Sequence, residues 1–172
     1  FGAVRGLWKM STNKDLSIEG QAISGKEGRM PKRILIVDDD PDAITFTSSV
    51  VEDNGYKYVS ADNGIKGLAL AKKEKPDLVL LDLIMPEKSG MMMFQEMKKD
   101  SELRKIPVII VSGASEVLGV DLRDFMIKQP LKGRKKAVET SGEAHLTKPN
   151  AFMEKPFGAD ELIKVIKKVL ED

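Results

Sequence analysis

The stretch RILIVDDDP, Arg33 to Pro41, ends an apolar run with three consecutive aspartates. Like charges crowded this closely are unfavourable unless a cation binds them or water solvates them. One Asp at this place reads as a solvated turn or a helix cap; three ask for more. Further along, LVLL ends in Asp82, IPVIIV is followed by Ser112, and AFME by Lys155. Each has an ordinary explanation alone, because Asp and Ser are common turn residues and Lys is usually solvated. Together they describe one chemistry. Three carboxylates make a hard, oxygen-rich cradle suited to Mg²⁺. If two acids hold the ion, the third can act as a nucleophile towards phosphorus. Phosphoryl transfer needs positioning and neutralisation of the equatorial oxygens more than covalent help. A Lys point charge and a Ser hydroxyl add to that, and no histidine is required.

The elements between these residues must bring them together. PDAITFTSSVVEDNG reads as a helix, with Asp40 as its cap, Pro41 at its first position and Gly55 at its end. KYVSA is a short strand. DNGIKGLALAKKEK is a helix with Asp62 as its cap, stopped before Pro76. LVLL is a buried strand and LIMPEKSG a loop. MMMFQEMKKD is a helix expected to place Met91, Phe94 and Met97 on one core face. IPVIIV is a third buried strand and AFME a weaker one. ADELIKVIKKVL sets Leu162, Ile163, Ile166, Val169 and Leu170 on one side, with Lys164, Lys167 and Lys168 largely on the other. Strands alternating with helices imply a parallel sheet covered on both faces, and all-apolar strands agree. Five such units give a small doubly wound α/β fold. In open sheets of this class ligands bind at the carboxyl ends of the strands, where Asp38, Asp39, Asp82, Ser112 and Lys155 fall.

Bulk properties set the frame. The 172 residues suit one domain, with 41% hydrophobic and 32% charged residues. A net charge of +1 argues for neither a nucleic acid nor a membrane as partner. The absence of cysteine excludes disulfides and thiolate metal sites and is compatible with a cytoplasmic location. No apolar run approaches the length of a membrane span, and FGAVRGLWKM is too short and interrupted for a signal-peptide core. Residues 1–29, with Trp8, read as a tail or linker. The folded unit is expected over 30–172.

The motifs ILIVDDDP, LVLLDLIMP, PVIIVSGAS and EKPF, in this order, resemble the receiver domain of two-component response regulators, of the chemotaxis-regulator type. The resemblance covers residues 32–172 apart from one long insertion. It implies a flavodoxin-like five-stranded sheet of order 2-1-3-4-5. It implies that Asp38 and Asp39 bind Mg²⁺, with the Ile84 backbone carbonyl completing the metal site beside Asp82. Asp82 would accept a phosphoryl group from the phosphohistidine of a histidine kinase or phosphotransfer protein. Ser112 and Lys155 would contact the phosphoryl oxygens, and Phe152 matches the aromatic switch position. Asp40 is left to cap its helix. Output is expected through a downstream protein whose identity the sequence does not give.

Two Lys-Pro pairs compete for the lysine of the motif. After Lys148 comes NAFMEKPFG, with a proline inside it; after Lys155 comes a clean amphipathic helix. Lys155 is therefore the expected site lysine and Lys148 an exposed loop residue. The gap from Ser112 to Lys155 is longer than a crossover with one helix needs, so an insertion is expected at about 115–149. SEVLGVDLRDFMIK there reads as a helix with an apolar patch of Leu122, Phe125 and Met126. A basic run follows: Lys128, Lys132, Arg134, Lys135 and Lys136. That run reads as a solvated loop or as a docking segment for an acidic partner. His145, the one histidine, has no ligand partners of suitable type nearby.

Three other functions each fit part of the pattern. An Mg²⁺-dependent phosphatase with an aspartyl nucleophile typically places a second Asp two residues on, where this chain has Ile84. A scaffold that no longer takes phosphate would not need the full set of five residues. A nucleotide-binding flavodoxin-like protein would need a Gly-rich loop after the first strand.

Overall fold

The structure, a computed structural model, describes residues 30–85, 89–113 and 148–171. Five strands form one parallel sheet in the order β2-β1-β3-β4-β5. They are β1 (Arg33–Val37), β2 (Lys57–Ala61), β3 (Leu78–Leu81), β4 (Val108–Ser112) and β5 (Ala151–Glu154). Four α-helices are described: α1 (Pro41–Asp53), α2 (Gly64–Glu74), α3 (Gly90–Lys99) and α4 (Ala159–Glu171). The expected flavodoxin-like order is thus observed. The helix expected in the insertion, the basic run, His145 and the tail with Trp8 lie outside the described residues.

The apolar strands are buried on both sides because each face has its own core. Leu35, Val37, Val79, Leu81, Val108 and Ile110 pack on one face with Ala71 of α2 and Met93, Phe94 and Met97 of α3. The alternate residues Ile34, Ile36, Leu78, Leu80, Ile109, Val111 and Met153 face Val50 and Val51 of α1 and Leu162, Ile163 and Ile166 of α4. Strand alternation makes this division unavoidable. Burial of each Leu, Ile or Phe contributes about 1.5–3 kcal/mol, so the two cores are the main source of stability.

The helix ends mostly follow the sequence. Asp40 caps α1 by accepting the Asp42 amide at 2.9 Å, and Pro41 opens the helix. Gly55, at φ 81°, takes the left-handed turn that ends it. One expectation is corrected. Asn63, not Asp62, caps α2, accepting the amides of Ile65 and Lys66; Asp62 instead pairs with the Lys66 ammonium at 2.7 Å. In α3 Phe94 and Met97 are buried and Met91, partly buried, packs against the same core, as expected; Met93 is buried beside them.

Strand register sets the level of the sheet edge. Val37 pairs with Ala61 on one side and Leu81 on the other, and Leu81 pairs with Ile110. The ladder runs one residue beyond the strands. The Asp38 amide donates to the Ala61 carbonyl at 3.1 Å, and the Asp82 amide to the Val37 carbonyl at 2.9 Å. The backbones of both acids are therefore fixed by the sheet itself.

Candidate functional site

Four strands deliver the polar residues. Asp38 and Asp39 follow β1, Asp82 follows β3, Ser112 ends β4, and Lys155 follows β5. Asp38, Asp82 and Ser112 are buried, whereas Asp39 is exposed. Carboxylate oxygens of Asp38, Asp39 and Asp82 lie within 4.8 Å of one another. The Lys155 ammonium bridges two of them, at 2.6 Å from Asp38 Oδ2 and 2.8 Å from Asp82 Oδ2. The other Asp82 oxygen, Oδ1, accepts the Ser112 hydroxyl at 2.8 Å and the Ile84 amide at 2.9 Å. Asp38 Oδ1 accepts the Asp40 amide at 3.0 Å.

Of the residues expected at the site, the structure brings Asp38, Asp39, Asp82, Ser112 and Lys155 together. Ile84 lies beside Asp82 with its side chain exposed, and Phe152 is half-buried opposite Ile110 on β5. Lys148 is exposed and precedes β5, at the opposite end of the strands from Lys155. Asn150, two residues on, exchanges hydrogen bonds with the backbone of Val108 at the start of β4. The backbone donors at Asp40 and Ile84 had no signal in residue types, because any residue supplies an amide.

The electrostatics follow from burial and proximity. Burial pushes the Asp38 carboxyl above its ordinary range, with the neighbouring Asp82 charge adding to this; the Lys155 ammonium and the Asp40 amide pull only partly against it. Burial also disfavours the Lys155 ammonium, but contacts with the two carboxylates outweigh that and hold its pKa above the ordinary value. One ammonium against three carboxylates leaves the cluster net negative. Its donors are all hard oxygens, and one ligand, Asp39, is open to solvent. This donor set fits a small divalent cation such as Mg²⁺.

Residues 34–130 match the response regulator receiver domain family. The chain belongs to this family. Receiver domains act in two-component signalling and are not enzymes that turn over a separate substrate. The chain is 45% identical over 80 residues to protein PilH of Pseudomonas aeruginosa, spanning 46% of this chain and 66% of PilH, a little under two thirds. It is 31% identical over 143 residues to the polar-differentiation response regulator DivK of Brucella anthropi, spanning 83% of this chain and 99% of DivK. Among solved structures, a CheY-like response regulator receiver domain from Methanospirillum hungatei shares 26% identity with a TM-score of 0.60, over 83% of this chain and 95% of that one. Among the described residues no helix is long and apolar enough to cross a membrane.

The strain at Asp38 has a measurable consequence. A carboxyl whose pKa is raised on folding destabilises the folded state once it ionises. Metal-free Asp38→Asn is therefore expected to be more stable than the wild type at pH 7. The gain should shrink as pH falls and vanish below the unfolded-state value near 3.8, where the wild-type side chain is neutral in both states. Urea unfolding in chelator at pH 7 and at low pH checks this; a less stable variant at pH 7 would contradict it.

Proposed function

We propose that this receiver domain takes a phosphoryl group on Asp82 from the phosphohistidine of a histidine kinase or phosphotransfer protein, in the cytoplasm. The observation that supports this best is the treatment of the Asp82 carboxylate: it is buried, and Ser112 and Lys155 both donate to it. A carboxylate held at both oxygens is a positioned nucleophile. In the transfer, an Asp82 oxygen forms the new bond to phosphorus as the bond to the imidazole nitrogen breaks. Asp38, Asp39 and the Ile84 carbonyl would hold Mg²⁺, which would supply positive charge to the transferring oxygens.

Phosphorylation puts about −1.5 to −2 charge on Asp82. The Lys155 ammonium and the Ser112 hydroxyl, already on Asp82, then turn to the phosphoryl oxygens. Ser112 lies on the same face of the sheet as Ile110, whose neighbour across the ladder is Phe152. Movement of Ser112 frees space for the Phe152 ring, which alters the surface around β4 and β5 that a downstream protein reads. The receiver unit is taken as residues 30–172, with an insertion at about 115–149 and a tail or linker over 1–29. The phosphatase alternative is disfavoured by Ile84, which gives no acid two residues after Asp82.

A small phosphodonor with Mg²⁺ should label the wild type stoichiometrically and leave Asp82→Asn unlabelled but folded. Labelling retained in Asp82→Asn would remove the assignment. Lys155→Ala should impair the response, while Lys148→Ala, at the far end of the strands, should not; the reverse pattern would assign the site lysine to Lys148.

The phosphorylated form should be long-lived. Hydrolysis needs a water in line with the phosphorus, opposite the Asp82 oxygen. The residues two after Asp82 and two after Ser112 are Ile84 and Ala114, the latter outside the described residues. Neither side chain can hydrogen-bond that water, and Ile84 can shield its approach. Ile84→Asn combined with Ala114→Glu supplies a donor and an acceptor, and should speed decay by about tenfold or more. A decay time course on both proteins checks this; rapid wild-type decay, or no change in the double variant, would mean another group orients the water.

A further inference from the structure

Gly90 opens α3, directly after its cap Ser89. Alanine would be the better helix former by up to about 1 kcal/mol. The glycine is not there for its backbone freedom either, since Gly55 is the positive-φ glycine among the described residues. What requires it is space. A Cβ on Gly90 would lie 1.7 Å from the Asp82 carbonyl oxygen, 2.7 Å from its carbonyl carbon and 2.9 Å from Leu83 Cα. All three are backbone atoms, so no side-chain rotation relieves the clash. The α3 start presses on the peptide that carries Asp82.

We propose that Gly90 is a positioning residue for the phosphoryl-acceptor site. By lacking a side chain it lets the first turn of α3 act as a stop behind Asp82. This rests on the reading of Asp82 as acceptor. The Gly90 amide also donates to the Leu83 carbonyl at 3.2 Å, which closes the loop between Leu83 and the helix. Thus α3 fixes both the Asp82 backbone and the entry to Ile84, whose amide holds Asp82 Oδ1. The stop is rigid because α3 is anchored in the core by Met93, Phe94 and Met97, all essentially fully buried.

With alanine at 90, the strand end and the helix must separate by about 1 Å or more to reach an allowed contact. Misplacement of that size in a reacting group costs on the order of 10²-fold in rate. Supports of metal ligands typically carry about 10–100-fold in affinity. Gly67 supplies the control. Its Cβ would also be crowded, at 2.8 Å from Met93 Sδ and 3.0 Å from the Val37 methyls, but those are side-chain atoms that can shift.

The test compares full-length wild type, Gly90→Ala and Gly67→Ala by urea unfolding, by Mg²⁺ titration calorimetry and by the rate of labelling with a small phosphodonor. Gly90→Ala should bind Mg²⁺ about tenfold or more weakly and label about 10²-fold more slowly. Gly67→Ala should stay close to wild type in both, whatever stability it loses. Wild-type Mg²⁺ affinity and labelling in folded Gly90→Ala would overturn the proposal, as would equal functional losses in the two variants. If the wild type is not labelled on Asp82, the functional reading fails, and the Mg²⁺ comparison still decides the role of Gly90. If Gly90→Ala does not fold, the wild type decides by amide NMR. The Gly90 amide should shift with the same Mg²⁺ midpoint as those of Asp82 and Ile84, while Gly67 stays still. An unmoved Gly90 amide would overturn the proposal.

Discussion

Lys155 stands between two buried carboxylates that repel each other, and its ammonium is within hydrogen-bond reach of both. The arrangement around them can be understood from that contact. Asp38 and Asp82 can be held so close because their backbones belong to one parallel ladder, through Ala61 and Val37. The ladder is rigid because apolar side chains fill both faces of the sheet. The lysine reaches them because β5 pairs with β4 in a register that puts Glu154 opposite Ser112 and Lys155 one residue beyond. A site of this kind is bound to be unstable on its own, and the cores on each side of the sheet offset that instability.

The same contact joins separate strands. The groups that hold Asp82, namely Ser112 and Lys155, sit on the last two strands rather than on its own. The Asp82 carboxylate therefore ties the end of β3 to the ends of both β4 and β5. Phe152, on β5, pairs with Ile110 of β4 and is half-buried. On the opposite face, Phe46 of α1 touches Phe157, two residues after Lys155, with ring centroids 6.0 Å apart. Lys155 thus adjoins contacts on both sides of the sheet.

Much of this was legible in the sequence because the signals were redundant. KYVSA, LVLL and AFME mark the spans of β2, β3 and β5, but only LVLL is an uninterrupted buried apolar run; the two edge strands carry exposed polar residues and are bounded by the turn residues around them. The cluster of Asp38, Asp82, Ser112 and Lys155 was legible because each ends or directly follows a strand. Lys155 could be told from Lys148 because only one of them leaves an unbroken helix behind it. The errors arose where the code is degenerate. Asp62 and Asn63 are adjacent and both can cap, so one residue of helix phase decides. Met91, Met92 and Met93 are identical, so the sequence does not say that Met93 is buried most deeply, with Met91 packed beside it and Met92 exposed. Gly90 carried no signal at all: close approach of two backbones is a property of three dimensions, and a lone glycine before a helix has other readings.

The central claim is that the acids at the strand ends form a divalent-cation site that Lys155 only partly neutralises. Calorimetric titration of Mg²⁺ into the metal-free protein tests it most directly, beside the Asp38→Asn, Asp39→Asn double variant. One ion per wild-type chain is expected, with no measurable binding in the variant. Binding of equal strength in the variant would contradict the account.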